Sequence, residues 1–342
     1  MSLPVSIAAA IGIAVAFTLG GTTAASADAT VWNMNVFGPP RAVTAGIEAM
    51  AELFKKESNG TFEMKIAYGA ALGPERQAPE SIKSGGYEGA LMCAGYYPNK
   101  FPLLTVMELP FLPPRDIAEN AKLYHAVLNN PLIVKEMAER WNIKYFGPTF
   151  LPAYEFMGNK RIASVNDMKG VKMRISGLQA TALQVFGAVP TMVTAPEGYE
   201  ALQRGTIDSF GLPYAYTFGA YKLHEVSKYA TEGMAMNGLL CFEGVSLTAW
   251  SKLSDSLKAK LSQAQELASA ALLKAFKADD EKWIPIFKQK LEVVQFPAEE
   301  RAKLIAASGD IWEGWVKEQE AAGRPGREIL NFVKGEVAKY TH

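Results

Sequence analysis

Three histidines and two cysteines are all that 342 residues contain, and the charges cancel, with 35 Lys plus Arg against 35 Asp plus Glu. Each shortage excludes something. Balanced charge leaves no global field favouring nucleic acid or an anionic membrane, so a charged ligand has to be recognised locally. The chain has no H-E-x-x-H, G-x-S-x-G, G-x-x-x-x-G-K-[ST] or G-x-G-x-x-G, the signatures of zinc proteases, serine hydrolases, P-loops and dinucleotide sites. His125 falls on a predicted helix and His224 near a helix-to-loop boundary, places that suit structure or surface better than general-base work. No grouping of His, Cys and Asp has metal-ligand spacing, and no cofactor is expected. Cys93 and Cys241 sit in apolar, strand-like segments without C-x-x-C spacing, which leaves open a disulfide or two buried thiols. Repeats, low-complexity tracts and Ser/Gly linkers are missing too.

What is there begins with an uncharged, nearly continuous apolar run of 13 residues, Val5 to Phe17. Ala25-Ser26-Ala27 and Ala27-Asp28-Ala29 follow as A-x-A cleavage patterns. Residues 1–29 therefore read as a signal peptide, too short to span a bilayer, cleaved near Ala27 or Ala29 for export to the periplasm. Met1-Ser2-Leu3-Pro4 departs from the pattern by lacking a basic residue.

The remainder, 49% hydrophobic and 20% charged over the whole chain, has a globular composition. Thr30 to Val36, Phe62 to Tyr68 and Gly89 to Ala94 read as strands. The helix bearing Ile47, Met50 and Phe54 and another closed by Gly85-Gly86 separate them. That is β-α-β-α-β, hence a parallel sheet faced by helices. A second unit begins near Lys144-Tyr145-Phe146-Gly147 and includes strands at Val171 to Ile175, Ala188 to Val193 and Thr206 to Leu212. Gly238 to Leu247 returns as a strand of the first unit. A long helix is predicted over Lys252 to Lys277, with Pro285 and Pro297 punctuating a helical tail around Trp312 and Trp315. The expected class is α/β in two lobes: 30–150 with 238–290 as lobe I, 151–237 as lobe II, and 291–342 as C-terminal helices across both. Segments that cross between lobes, rather than a single tether, suit closure around a ligand.

One strand carries the sharpest functional signal. Val171, Met173 and Ile175 alternate with Lys172, Arg174 and Ser176, and Gly177 ends the run. Arg174 is thereby set near a strand end facing away from the core, where its planar fork can grip a carboxylate bidentately. The plainer reading is a surface arginine beside Lys172. Tyr96, Tyr97, Phe101, Tyr154, Phe156, Phe210, Tyr214, Tyr216 and Phe218 cluster near strand ends, where α/β sheets bind ligands, and imply apolar walls. Glu75, Glu108, Glu197 and Asp208 fall near element ends, but spacing pairs none of them for acid–base work.

Four motifs, in order, carry a family resemblance: Leu72-Gly73-Pro74-Glu75-Arg76, Glu108-Leu109-Pro110-Phe111-Leu112, Asn166-Asp167-Met168-Lys169-Gly170-Val171-Lys172-Met173-Arg174, and Tyr199-Glu200-Ala201-Leu202-Gln203-Arg204-Gly205-Thr206-Ile207-Asp208. Over residues 30 to 335 the chain resembles the extracytoplasmic solute-binding proteins of TRAP transporters, the C4-dicarboxylate-binding receptor family. The resemblance implies a two-lobed periplasmic binding protein fold with a long back helix. It also implies capture of a small organic acid by lobe closure, delivery to a sodium-coupled permease, and Arg174 as the residue that salt-bridges the carboxylate. The sialic-acid branch has a second arginine at the position of Tyr154 and an asparagine at that of Leu212, and both polar groups are missing here. The Trp-Pro-Gly-type motif of keto-acid receptors is absent as well. These departures point to a less polar monocarboxylate, aromatic or branched. Phe37, Glu75, Tyr96, Phe210, Leu212 and Tyr214 complete the expected ligand set with Arg174 and Tyr154. A secreted two-lobed α/β hydrolase or lyase using carboxylates such as Glu75 and Asp208 is the alternative. A sensor subunit serving a membrane kinase is a third reading.

Overall fold

The apolar strand segments assemble into two sheets, and the chain passes from one to the other and back. The computed structural model describes Met1 and residues 29–175 and 177–340, so the signal peptide expected at the N-terminus lies almost wholly outside the described residues. In chain order the strands are β1 (Thr30–Asn35), β2 (Phe62–Ala67), β3 (Gly89–Cys93), β4 (Ile143–Thr149), β5 (Tyr154–Gly158), β6 (Lys172–Arg174), β7 (Val189–Pro190), β8 (Ser209–Pro213), β9 (Tyr229–Met236), β10 (Cys241–Ser246) and β11 (Glu292–Gln295). The first sheet runs β2-β1-β3-β10-β4 and the second β11-β9-β5-β8-β6-β7. β1, β2 and β3 are parallel, as two β-α-β crossovers require, and β10 enters antiparallel between β3 and β4. The segment around Lys144–Gly147, expected to open the second unit, is instead β4, the far edge of the first sheet.

Trp32 on β1 anchors the first core, meeting Phe62 edge-on at 5.0 Å and Phe146 at 5.5 Å, while Phe54 stacks on Phe146 at 5.4 Å. Such aromatic pairs add about 0.5–1.5 kcal/mol beyond the area they bury. The chain crosses between sheets at 150–153 and 237–240, and a third time through the helix Leu261–Lys290. This back helix starts and ends later than the periodicity predicts. Ser254 caps its own short helix, accepting from the Leu257 N–H, so Leu253 and Leu257 precede the long one. Pro285 lies inside the helix rather than ending it. The buried stripe Ala264, Ala268, Leu272 and Phe276 recurs every four residues, and packing overrides the proline's missing hydrogen bond. Leu272 packs against Gly46 of the first lobe, and Phe276 meets Phe150 and Tyr216. Farther on, Phe287 meets Tyr214 and Phe218 of the second lobe. One rigid rod thus touches both sheets.

The tail is not wholly helical. Val293 and Val294 lie in β11, parallel to β9 at the edge of the second sheet. The β-branched pair and the turn at Leu291 favour a strand there. Helices Ala298–Ala306, Ser308–Ala321 and Gly326–Val337 follow, and Trp315 Nε1 donates to the Thr105 hydroxyl of the first lobe at 2.8 Å. No helix among the described residues is long and apolar enough to cross a membrane.

Two buried carboxyls sit where the ladders shift register. Glu155 accepts from the N–H groups of Gly233, Met234 and Ala235, each at 3.1 Å, beside the shift between β5 and β9. Glu243 accepts from the Thr149 hydroxyl at 2.5 Å, beside the shift between β10 and β4. Burial pushes Glu155 up to about 7 and Glu243 up to about 8. Folding therefore holds protons that the unfolded chain releases above about pH 4.5, so stability falls as pH rises from there to about 8. Thermal unfolding between pH 5 and 9 should show the wild type losing ground against Glu243→Gln, and parallel curves would contradict this.

Candidate ligand cavity between the sheets

The carboxyl ends of β1, β3 and β4 open onto the gap between the sheets, and there the structure holds a cavity with about 380 Å³ of empty space. Phe37, Arg41, Leu91, Tyr96 and Thr149 line it from the first lobe, and Leu151 and Leu239 from the crossing segments. The second lobe supplies Tyr154, Ala195, Leu212, Pro213, Tyr216, Thr217 and Tyr221. Cys93 and Cys241 face each other across β3 and β10, form a disulfide and complete the first lobe's wall. The choice left open by the sequence is thereby decided. No carboxylate lines the cavity.

Arg174 does not line the cavity but lies behind it, only 1% exposed. An orientation away from the core is expected from the alternation, and the structure corrects that: Met173 and Arg174, on opposite faces of β6, are both buried. Its Nε donates to the Val193 carbonyl at 2.7 Å and its Nη1 to the Gly211 carbonyl at 3.1 Å. Beneath the guanidinium, 4.7 Å away, is the ring of Phe210, the residue opposite it in register on β8. Nη2 is buried and has no partner, and no ion pair is made by Arg174. A desolvated, unneutralised cation costs several kcal/mol, which an incoming anion would recover. Its charge reaches the cavity: burial drives the Tyr154 and Tyr221 hydroxyls upward, and Arg174 opposes that shift in both.

The remaining expected residues divide. Phe37 and Tyr96 face each other edge-on at 5.7 Å in the first-lobe wall, and Tyr154 and Leu212 form the opposite one. Glu75 lines an outer groove with Phe37 and Glu197 rather than the cavity. Tyr214 is turned away, its hydroxyl donating to Glu232 at 2.5 Å and its ring packed on Phe218 and Phe287. The chain reverses at Ala215, φ 58°, directly after it, so neighbouring strand-end aromatics point in different directions. Asp208 accepts from the Lys172 N–H at 2.9 Å and does not line Glu75's groove, so Glu75 and Asp208 do not form a pair.

Sequence reasoning missed Arg41, Thr217 and Tyr221. Arg41 Nη1 donates to the Phe37 and Pro39 carbonyls, both at 2.8 Å, and the guanidinium lies 5.1 Å from the Phe37 ring and 5.8 Å from that of Tyr221. Gly38, at φ 71°, leaves room for the Tyr221 hydroxyl, which a Cβ there would strike. Lobe contact is therefore made at this rim. Thr217 Oγ1 and the Tyr221 hydroxyl are buried and unpaired, like Arg174 Nη2. Only the Pro39-Pro40 turn ahead of Arg41 hinted at such a role; nothing in spacing marked the other two.

Residues 35–319 match bacterial extracellular solute-binding protein family 7, DctP. The chain belongs to this family. A solute-binding protein of Verminephrobacter eiseniae is 31% identical over 191 residues, covering 54% of this chain and 55% of that protein. The chain thus spans about half the length of that curated relative. A TRAP periplasmic solute-binding protein from Desulfovibrio salexigens, with bound orotic acid, superposes with a TM-score of 0.80 at 22% identity, covering 90% of this chain and 99% of the other. A marine metagenome TRAP solute-binding protein specific for aromatic acids, crystallised with 3-hydroxybenzoate, gives 0.77 at 24% identity, covering 92% and 100%. The two-lobed fold is that of TRAP periplasmic binding proteins, and family members of this type are receptors, not enzymes.

Two substitutions probe the cavity's polar side by calorimetric titration with whichever small carboxylate stabilises the wild type. Arg174→Ala should weaken binding at least tenfold, from a charged hydrogen bond worth about 1.5–3 kcal/mol, while the protein still unfolds cooperatively. Tyr154→Phe should weaken it only a few-fold. Unchanged affinity in the first variant would remove Arg174 from the site, and in the second would remove the Tyr154 hydroxyl.

Proposed function

We propose that this protein is the periplasmic receptor of a TRAP transporter. Exported by a signal peptide, it captures a small monocarboxylate, aromatic or branched, between its lobes and hands it to a sodium-coupled permease. One observation carries the reading: Arg174 is buried, unneutralised, and has a free Nη2 beside a cavity that contains no carboxylate of its own. A ligand carboxylate supplies the missing charge. Phe37, Tyr96, Tyr154 and Tyr216 offer ring faces and edges to a flat apolar body, and Leu212 and Leu239 exclude a heavily hydroxylated one. The unpaired Thr217 and Tyr221 hydroxyls suit one further polar substituent, such as a ring hydroxyl or a keto group. The 3-hydroxybenzoate bound by one structural relative is a compact acid of that kind, and the orotic acid bound by the other is compact and flat but more polar.

Lobe closure follows from the same geometry. Arg41 and Phe37 come from the first lobe and Arg174, Tyr154 and Tyr221 from the second, so a ligand touching both sides favours the closed arrangement. A thermal-shift panel of benzoate, 3-hydroxybenzoate, branched 2-oxo acids and the corresponding amides tests the reading. An acid at a hundredfold its dissociation constant adds about 2.7 kcal/mol, a shift of a few degrees. Shifts confined to acids are expected, whereas shifts from the amides alone would refute a carboxylate receptor.

A further inference from the structure

Glu108 does not line the cavity, and among the described residues nothing pairs with its Oε1. It ends the turn of 3-10 helix Pro102–Glu108, immediately before Leu109-Pro110-Phe111, and is 1% exposed. Its Oε1 is buried without a hydrogen bond. Carboxyls so placed are held neutral, because the ionised form has lost its water and gained nothing.

The space around it is built from both sides of the cleft. On the first-lobe side, a Cβ at Gly95, just after β3, would lie 2.6 Å from Glu108 Oε1 and 2.7 Å from Leu239 Cδ2. On the second-lobe side, a Cβ at Gly177 would overlap Glu108 Oε2. Gly177 also sits at φ 72°, so glycine is demanded there twice over. The carboxyl is thus enclosed by two bare backbones on opposite lobes and by Leu239 of a crossing segment. Gly177 follows Arg174 by three residues on the same strand end, and Leu239 lines the ligand cavity.

We propose that Glu108 is a closure latch: its protonated carboxyl fits between Gly95 and Gly177 when the lobes are together, and its ionisation requires them to part and admit water. The latch adds to the receptor reading a dependence of closure on pH.

Among the described residues no charged group offsets an ionised Glu108. Tyr124, from the helix Ile117–Leu128, is the titratable neighbour, and its hydroxyl donates to the Leu239 carbonyl at 2.6 Å. Burial drives that hydroxyl upward and Glu108 adds to the push. Asn120, from the same helix, is buried and neutral, and Tyr96, beside Gly95, lines the cavity. From the C-terminal helices Trp315 meets this segment through the Thr105 hydroxyl and Trp312 Nε1 donates to the Pro110 carbonyl at 3.0 Å, both uncharged. Arg174 and the other charged groups contribute no shift: burial alone pushes Glu108 up to about 8. In the parted form the carboxyl meets water and returns to the ordinary range near 4.5. The closed form therefore binds a proton that the open form releases. Between those values the closed-to-open ratio falls about tenfold per pH unit.

Small-angle scattering from the ligand-free full chain, wild type and Glu108→Gln, at pH 5.5, 7 and 9 tests the latch. The wild type should show a radius of gyration that grows with pH, while Glu108→Gln keeps one value throughout. An unchanging wild type, or a Glu108→Gln protein that swells in step with it, would overturn the proposal. Should the glutamine variant fail to fold, Glu108→Ala serves the same comparison, since it also lacks an ionisable group. No ligand enters the measurement, so the carboxylate reading and the latch can fail independently.

Discussion

A guanidinium removed from water with one nitrogen unpaired is the constraint around which this molecule is arranged. Arg174 is fixed by two backbone carbonyls and a ring face, and none of these neutralises it. Such a group is costly in the empty protein and becomes favourable once a carboxylate arrives. Binding of that kind is selective for charge from the outset, because a neutral analogue leaves the cation as exposed to low dielectric as before. In the proposed receptor the aromatic walls would then choose among acids by shape.

The two-sheet arrangement makes this electrostatic site into a mechanical one. Two crossing segments and the back helix connect the lobes, an arrangement of the hinge type. Phe276 against Tyr216 and Phe150 holds the middle of that helix at the boundary, while its two ends belong to different lobes. Arg41 and Gly38 against Tyr221, and Glu108 against Gly177, are contacts made across the cleft, beside an apolar core that runs on from the first lobe to Val171, Met173 and Tyr216 of the second.

Much of this was legible in the residues. Alternation in Val171 to Ile175 and the glycine after it marked β6 and Arg174, and the β-α-β-α-β order marked the parallel core of the first sheet. Burial of Arg174 was not legible, because alternation cannot say whether both faces of a strand are covered by its neighbours. Pro285 misled because a proline reads as a stop in sequence, whereas a helix packed along both lobes tolerates one lost hydrogen bond. Tyr214 and Tyr221 show the other limit. Aromatic side chains near strand ends are indistinguishable until a turn such as that at Ala215 sets which of them face the cleft. The disulfide was invisible for a related reason, since 148 residues separate two cysteines that strand register places directly opposite.

The most direct test of the account is a crystal structure of the protein soaked with 3-hydroxybenzoate or with whichever acid stabilises it most. The account predicts a carboxylate oxygen within hydrogen-bonding distance of Arg174 Nη2, with the ring between Phe37 or Tyr96 and Tyr154. An acid bound in the cavity with its carboxylate directed elsewhere, and Nη2 still unpaired, would contradict it.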